Sequence, residues 1–139
     1  MYEILKVLNH NTILVLKENE EIIVMSKGIG FGKKQGEQVD VPRNAKQYKM
    51  QKSYQAKQKS NNIFDYIDPM YIEISSEIIT LTKEKFGKVE HDILLSLADH
   101  IYFAIKRILL IYNRVVDKMK VVYPFYESVI IKKPKKVNV

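Results

Sequence analysis

The spacing of apolar residues differs between the two parts of the chain. Within the first forty residues, apolar and polar side chains alternate in the short runs YEILKVLN, TILVL, EIIVM and EQVDV. Polar turns at residues 9–11 and 17–20 separate the first three runs, and alternation between turns is typical of antiparallel strands. Aliphatic and β-branched residues dominate these runs, so the pattern predicts a four-stranded antiparallel β-sheet.

A sheet of this size buries little apolar surface by itself. A unit of about fifty residues has a small core, and oligomerisation is one common way to enlarge it. We therefore expect a dimer in which two such sheets stack.

The chain after residue 66 has the helical period instead. Asp68 followed by Pro69 is a helix start, because aspartate caps free N–H groups and proline fits the first turn. Gly87 is the matching stop. This pattern predicts a helix over residues 69–86.

Two faces of this first helix are distinguished by residue type. The apolar stripe, expected to be buried, consists of Tyr71, Ile74, Ile78 and Leu81. Glu73 and Glu77 lie four residues apart, and we expect them on a solvated face rather than as an acid–base pair.

A second helix is predicted over about residues 91–114. Its stripe comprises Leu94, Leu97, Ile101, Ile105, Ile108 and Tyr112. His91 and His100 fall on opposite faces, so they cannot share a metal ion, and no metal site is predicted. The expected fold class is α+β, with an N-terminal four-stranded antiparallel β-sheet domain followed by an all-α helical segment.

Composition narrows the class of protein. The 139 residues are 46% hydrophobic and contain no cysteine, which excludes disulfides and thiol catalysis. No apolar run reaches the 18 or so residues needed to span a membrane, and we expect a soluble intracellular protein. The net charge is +7, and residues 43–60 hold six basic and no acidic side chains. Such a segment suits a polyanion such as nucleic acid, or is a solvated linker.

Residues 24–42, VMSKGIGFGKKQGEQVDVP, resemble a phosphate loop only superficially. A Walker loop needs glycine where Lys27 stands and serine or threonine where Lys34 stands. The dinucleotide pattern meets Lys33, and the kinase pattern meets Gln35, where glycine is required. A mononucleotide site is therefore not predicted. Phe31 in this run is either a core residue between turn glycines or an exposed ring that stacks on a base.

Four motifs resemble a known family. ILKVLNHNTILVL, IVMSKGIGFGKKQGEQVD, IDPMYIEISSEII and LSLADHIYFAIKR look, in this order, like bacterial transcriptional antiterminators of the BglG/SacY family. The resemblance implies an RNA-binding co-antiterminator (CAT) domain at residues 1–58 and a linker at 59–66. Residues 67–139 would be a helical, partial phosphotransferase-system (PTS) regulation domain (PRD).

The resemblance also implies a function. Family members are dimeric, cytoplasmic, cofactor-free proteins that bind an RNA hairpin overlapping a terminator and permit read-through of sugar-utilisation genes. The RNA-binding residues carried over are Lys6, Asn9, Asn11, Ser26, Lys27, Gly28, Phe31, Lys33 and Lys34. Glycine lets RNA approach the main chain, lysine neutralises phosphate, and an exposed phenyl ring stacks on an unpaired base.

His100 lies in the segment that resembles the phosphorylation site of the regulation domain. The resemblance implies that it accepts a phosphoryl group from a PTS phosphocarrier or a sugar-specific permease component, with Asp99 and Arg107 in support. On spacing alone, His100 would be a structural residue at the edge of the helix stripe.

Two other classes of function stay open at this point. One is an interaction module that dimerises with a full-length relative without binding RNA. The other is an enzyme, for which the sequence offers no nucleophile–base pair, metal-binding set or intact phosphate loop.

Overall fold

An antiparallel sheet forms the N-terminal part of the protein. The computed structural model describes residues 1–50, 62–90 and 93–122. The five strands are β1 (Tyr2–Asn9), β2 (Thr12–Lys17), β3 (Glu20–Met25), β4 (Gln38–Val39) and β5 (Lys46–Lys49). They lie in the order β4-β1-β2-β3-β5, and every neighbouring pair is antiparallel. Residues 51–61, 91–92 and 123–139, which include parts of both predicted domains and of the linker, lie outside the described residues.

Short turns fix the register of the first three strands. Between β2 and β3, Glu18 and Asn19 both have positive φ, at 51° and 65°. Two successive left-handed residues form the turn that matches the twist of a hairpin. Lys17 then pairs with Glu20, and the register continues to Thr12 opposite Met25. The sequence prediction of successive hairpins is confirmed.

The sheet has one strand more than the sequence predicted. β5 pairs with β3, and Tyr48 is its one buried residue between exposed polar neighbours. A single apolar position does not produce an alternating pattern, so residues 46–49 resembled the basic segment around them. The α+β fold class is unchanged by this extra strand.

Both faces of the sheet are apolar and both are covered. On one face, residues of β1–β3 pack against Ile29 and Val39 from the segment that follows β3; the core residues from the strands are Ile4, Ile13, Val15, Ile22 and Val24. On the other face, Leu14, Ile23 and Tyr48 pack against the helices. The sequence predicts a dimer in which the sheet of a second chain stacks on this one. The dimer stays a prediction. Within one chain, the helices already cover this face.

In the described part of the chain, three helices follow the sheet: α1 (Ile63–Tyr66), α2 (Pro69–Phe86) and α3 (Leu94–Val122). The predicted ends of α2 are confirmed. The side chain of Asp68 accepts a hydrogen bond from the Met70 backbone N–H at 2.9 Å, and Gly87 ends the helix with φ 86°. α1 lies in the interval predicted as linker, where Ile63 and Phe64 are buried. α3 extends beyond the predicted end at about residue 114.

The buried face of α2 differs from the predicted one. The buried residues are Tyr71, Ile72, Ser75, Ser76 and Ile79. Ile78 and Leu81, expected in the core, are exposed. Serine is buried here because its hydroxyl bonds within the protein: Ser75 donates to the Tyr71 carbonyl at 2.7 Å. The predicted stripe was therefore right for Tyr71 and wrong for Ile78 and Leu81.

Candidate nucleic-acid interface

Main-chain hydrogen bonds join two loops at one end of the sheet. The β1–β2 turn, residues 9–11, and the loop at residues 26–32 together form what we call the tip. The Ser26 N–H donates to the Asn11 carbonyl at 3.0 Å, and the Gly30 N–H donates to the His10 carbonyl at 2.9 Å. The Asn11 side-chain oxygen accepts from the Gly28 N–H at 2.9 Å. Three of the predicted RNA-binding residues, Asn11, Ser26 and Gly28, therefore lie together.

Glycines in the tip serve two different purposes. Gly28 has φ 73° and open space where a side chain would be, so it provides a turn that other residues rarely adopt. Gly30 has an ordinary φ, but a Cβ there would collide with the Asn9 carbonyl oxygen and lie 3.1 Å from Val7 Cγ1. Gly30 therefore allows the loop to pack directly on the turn.

Phe31 projects from the tip into solvent. Its side chain is 70% exposed, so the alternative interpretation of Phe31 as a core residue is wrong. Its N–H donates to the Gly28 carbonyl at 3.0 Å, which holds the backbone at the base of the ring. The ring centroid lies 5.4 Å from that of His10, with the two planes at 84°. An exposed ring held in this way has a face open to a planar ligand.

Three predicted lysines surround the tip. Lys27, Lys33 and Lys34 are all exposed. Lys33 Nζ lies 3.9 Å from Glu37 Oε2. Within the described ranges, Lys27 and Lys34 form no salt bridge. Two ammonium groups are thus not neutralised by a carboxylate in the described part of the chain.

Lys6 and Asn9 both contact the helices, and Asn9 Oδ1 also accepts a hydrogen bond from the Asn11 N–H within the tip at 2.8 Å. Lys6 Nζ lies 3.0 Å from Asp65 Oδ1, and Asn9 Nδ2 donates to Glu73 Oε1 at 3.0 Å. Thr12 Oγ1 also donates to Glu73 Oε1, at 3.4 Å. The expectation that Glu73 lies on a solvated face is therefore wrong, whereas Glu77 is exposed as expected. Glu73 bonds to residues more than sixty positions away, and no local pattern could reveal this.

A groove of about 440 Å³ runs beside the tip, between the sheet and α2. Its lining combines groups from the tip and β5 with groups from the helix. The polar lining residues are Asn11, Thr12, Ser26, Lys27, Asn44, Lys46, Glu73, Ser76 and Glu77. The groove is basic on the sheet side and acidic on the helix side.

The predicted phosphorylation segment lies on α3. His100 is exposed. Asp99 Oδ1 accepts a hydrogen bond from the Tyr66 hydroxyl at 2.8 Å, and Arg107 Nε donates to the Phe103 carbonyl at 3.3 Å. Arg107 is about two helical turns from His100, or roughly 10 Å along the axis. Asp99 is thus tied to α1, and Arg107 to its own helix.

In the part of the chain that the structure describes, no group of three or more His, Cys, Asp or Glu residues could hold a metal ion. No helix among the described residues is long and apolar enough to cross a membrane.

The structure is a small antiparallel β-domain joined to a helical module. Residues 2–57 match the model of the CAT RNA binding domain family. These residues belong to that family, and the chain is homologous to the LicT and GlcT antiterminators.

Individual relatives agree with this assignment. "Transcription antiterminator LicT" of Bacillus subtilis is 38% identical over 107 residues, which cover 76% of this chain and 38% of LicT. "Beta-glucoside operon antiterminator" of Dickeya chrysanthemi is 33% identical over 107 residues, with the same coverage of 76% and 38%. The chain thus spans 38% of the length of the curated relatives it matches.

A solved structure resembles both parts of the chain. The crystal structure of GlcT CAT-PRDI matches with a TM-score of 0.59 and 29% identity, covering 88% of this chain and 76% of that one. The order of sheet followed by helices is therefore shared with a homologue.

Proposed function

We propose that this protein is an RNA-binding transcriptional antiterminator. It binds, as a homodimer, an RNA hairpin that overlaps a terminator and so permits read-through of sugar-utilisation genes. The observation that carries the proposal is the tip, where exposed Phe31 and Lys27 stand on a loop fixed by main-chain hydrogen bonds. The function of the LicT homologue, a transcription antiterminator, supports the same class.

Each group at the tip has a role in RNA binding. The ring of Phe31 stacks on an unpaired base, because every base offers a flat π-face. Lys27 neutralises a backbone phosphate, and Lys33 and Lys34 extend the positive surface. The Asn11 side-chain oxygen is taken by Gly28, so its amide nitrogen can donate to the RNA. Binding then holds the hairpin closed against the competing terminator.

Loss of the ring or the charge tests this proposal. Phe31→Ala should weaken binding to the hairpin roughly tenfold or more, because stacking one base is worth ~1–3 kcal/mol. Lys27→Ala should weaken binding and also reduce its salt dependence, with the slope of log affinity against log salt falling by about 1. Fluorescence anisotropy with labelled RNA at several salt concentrations measures both.

Matched controls are available on the helical side. Phe86, the last residue of α2, is 81% exposed, and Lys88, two residues beyond it, is also exposed. Phe86→Ala and Lys88→Ala should leave affinity unchanged. If the wild-type protein binds RNA no better than the two tip variants do, the rival class of non-RNA-binding interaction module is favoured.

We further propose that residues 1–58 form the CAT domain, 59–66 a linker and 67–139 a partial PRD. In this division the protein is a cytoplasmic phosphorylation substrate rather than an enzyme. His100 accepts the phosphoryl group through an imidazole nitrogen, and its exposure on α3 supports access by a carrier protein. Asp99 and Arg107 assist by orienting the ring and contacting the phosphate.

Phosphorylation of His100 is measured by incubation with a phosphorylated PTS phosphocarrier or a sugar-specific permease component, followed by mass spectrometry. The phosphoryl group should be found on His100, should be lost in His100→Ala and should persist in His10→Ala. A carrier that phosphorylates its ordinary acceptor but leaves His100 unmodified would contradict the proposal.

A further inference from the structure

Lys6 on β1 has an acidic partner that is distant in the sequence. Its Nζ lies 3.0 Å from Oδ1 of Asp65, which is 59 positions away and belongs to α1. The carboxylate beside Lys33, by contrast, is that of Glu37 in the same loop. We propose that Asp65 masks Lys6, so that an RNA phosphate reaches this lysine only when the ion pair opens. The inference rests on the proposed function and identifies a competitor for RNA within the chain.

The position of Asp65 is fixed by the residues around it. Ile63, Phe64 and Ile67 are all buried in the core that the sheet shares with the helices. The side chain of Asn62 caps the turn by accepting a hydrogen bond from the Phe64 N–H at 3.1 Å. Because the carboxylate is tethered to the lysine through this packed turn, it acts at a high effective concentration.

The next residue attaches the same turn to α3. The Tyr66 hydroxyl donates to Asp99 Oδ1 at 2.8 Å. The ring centroid of Tyr66 lies 5.8 Å from that of Tyr102 and 6.3 Å from that of Phe103. α1 is therefore joined to α3 by this side chain and to β1 by the ion pair. The mask depends on contacts between distant elements, so a displacement of α1 would free the lysine.

The strength of the mask follows from its exposure. The side chains of Lys6 and Asp65 are 40% and 68% exposed. Exposed ion pairs are weak and change an equilibrium by at most about fivefold. A phosphate that approaches the ammonium group also meets the carboxylate, and like charges repel each other. The mask should therefore lower the affinity for RNA only a few-fold, but it should remove one phosphate contact.

Asp65→Asn tests the mask, because it removes the charge and keeps the size of the side chain. It should tighten binding to a labelled RNA hairpin roughly two- to fivefold. The slope of log affinity against log salt should become steeper by about 0.9, since one more phosphate is neutralised. Fluorescence anisotropy at several salt concentrations measures both quantities. Glu84→Gln is the matched control: Glu84 is exposed on α2, forms no salt bridge with a described residue and should leave the slope unchanged when replaced.

Lys6→Ala in two backgrounds shows whether the lysine is masked. In the Asp65→Asn background, Lys6 is free to contact phosphate, and its replacement should reduce the slope by about 0.9. In the wild-type background the reduction should be smaller, because Asp65 already occupies the ammonium group. The difference between the two backgrounds measures the coupling of the pair.

Tyr66→Phe tests the attachment of α1 to α3. Loss of the hydroxyl should tighten RNA binding by less than Asp65→Asn does, since the ion pair is then loosened rather than removed. In the Asp65→Asn background, Tyr66→Phe should add nothing, because the two substitutions act through the same lysine. Tyr112→Phe removes a hydroxyl from another position of α3 and should bind like wild type.

The outcomes separate this inference from the proposed function, once thermal unfolding verifies that each variant is folded. Suppose that Asp65→Asn has the affinity and salt slope of wild type, or that Lys6→Ala reduces the slope equally in both backgrounds. Either result overturns the mask, and weakened binding by Phe31→Ala would still support the RNA-binding function. Failure of both the wild-type protein and Asp65→Asn to bind RNA overturns both proposals.

Discussion

Two buried tyrosines differ in whether their hydroxyl groups have a partner. The Tyr48 hydroxyl lies 2.6 Å from the Ser76 hydroxyl. The side chain of Tyr71 is fully buried, and among the described residues its hydroxyl has no hydrogen-bond partner. A polar group that is buried without a partner loses its hydrogen bonds to water and forms none within the protein, which lowers the free energy of unfolding. The same substitution, tyrosine to phenylalanine, should therefore have opposite effects at the two positions.

Tyr71→Phe should raise the free energy of unfolding by roughly 1 kcal/mol, since it removes a desolvated hydroxyl. It should also change the response to alkaline pH. Burial, followed by the charge of Asp68, raises the pKa of Tyr71 above its usual value of 10. A folded-state pKa above the unfolded one means that stability falls as the pH rises past about 10. Tyr71→Phe should lack this loss of stability above pH 10. Urea unfolding at pH 8 and above pH 10 measures the difference. A lower stability of the variant than of wild type at pH 8 would contradict the prediction.

At the scale of elements, the Tyr48–Ser76 hydrogen bond joins β5 to α2. Tyr48→Phe leaves the Ser76 hydroxyl in a buried position without this partner. The free energy of unfolding should fall by about 1–2 kcal/mol. Urea unfolding of Tyr48→Phe, Ser76→Ala and the double variant gives the coupling between the two groups. Additive effects of the two single substitutions would show that the hydroxyls do not interact.

Local signals predicted several elements from the sequence. The hairpins follow from short aliphatic runs and the turn residues between them, and the ends of α2 follow from Asp68 and Gly87. The spacing of the glycine-lysine run does not match a nucleotide loop. Each of these features depends on residues close together in the chain, where pattern and physical cause coincide.

Features that depend on contacts between distant elements could not be predicted from local sequence patterns. β5 is a strand because it pairs with β3, and its sequence holds a single buried side chain. α2 buries two serines and exposes Ile78 and Leu81, because the surface it packs on decides which face is inside. Glu73 is held by Asn9 and Thr12 for the same reason. The pairing of His10 with Phe31 likewise needs the two loops of the tip to be joined first.

At the scale of the whole molecule, the helices and a second sheet would require the same surface. Leu14, Ile23 and Tyr48 pack against the helices, and the opposite face of the sheet is covered by the segment after β3. A dimer formed by stacked sheets therefore requires the helices to move away. A dimer that uses other surfaces does not.

A lysine of the tip and carboxylates of the helices face the same groove. The net charge is +7; among the described residues Lys27 and Lys34 form no salt bridge, whereas Asp65, Glu73 and Glu77 belong to the helices. The helices place carboxylates against Lys6 and Asn9, two of the residues predicted to bind RNA. A nucleic acid at the tip therefore meets attraction from the sheet and repulsion from the helical wall of the groove.

Hydrogen bonds of backbone peptide groups determine the shape of the tip. Gly28 and Gly30, with the carbonyls of His10 and Asn11, form a frame in which the outward side chains at positions 10, 27 and 31 take little part. Those three positions can be exchanged without rebuilding the frame. Variants at these positions should therefore keep the backbone of the tip while changing the groups that it offers to a ligand. Gly30 must be kept in every such variant, because any side chain there would separate the loop from the turn.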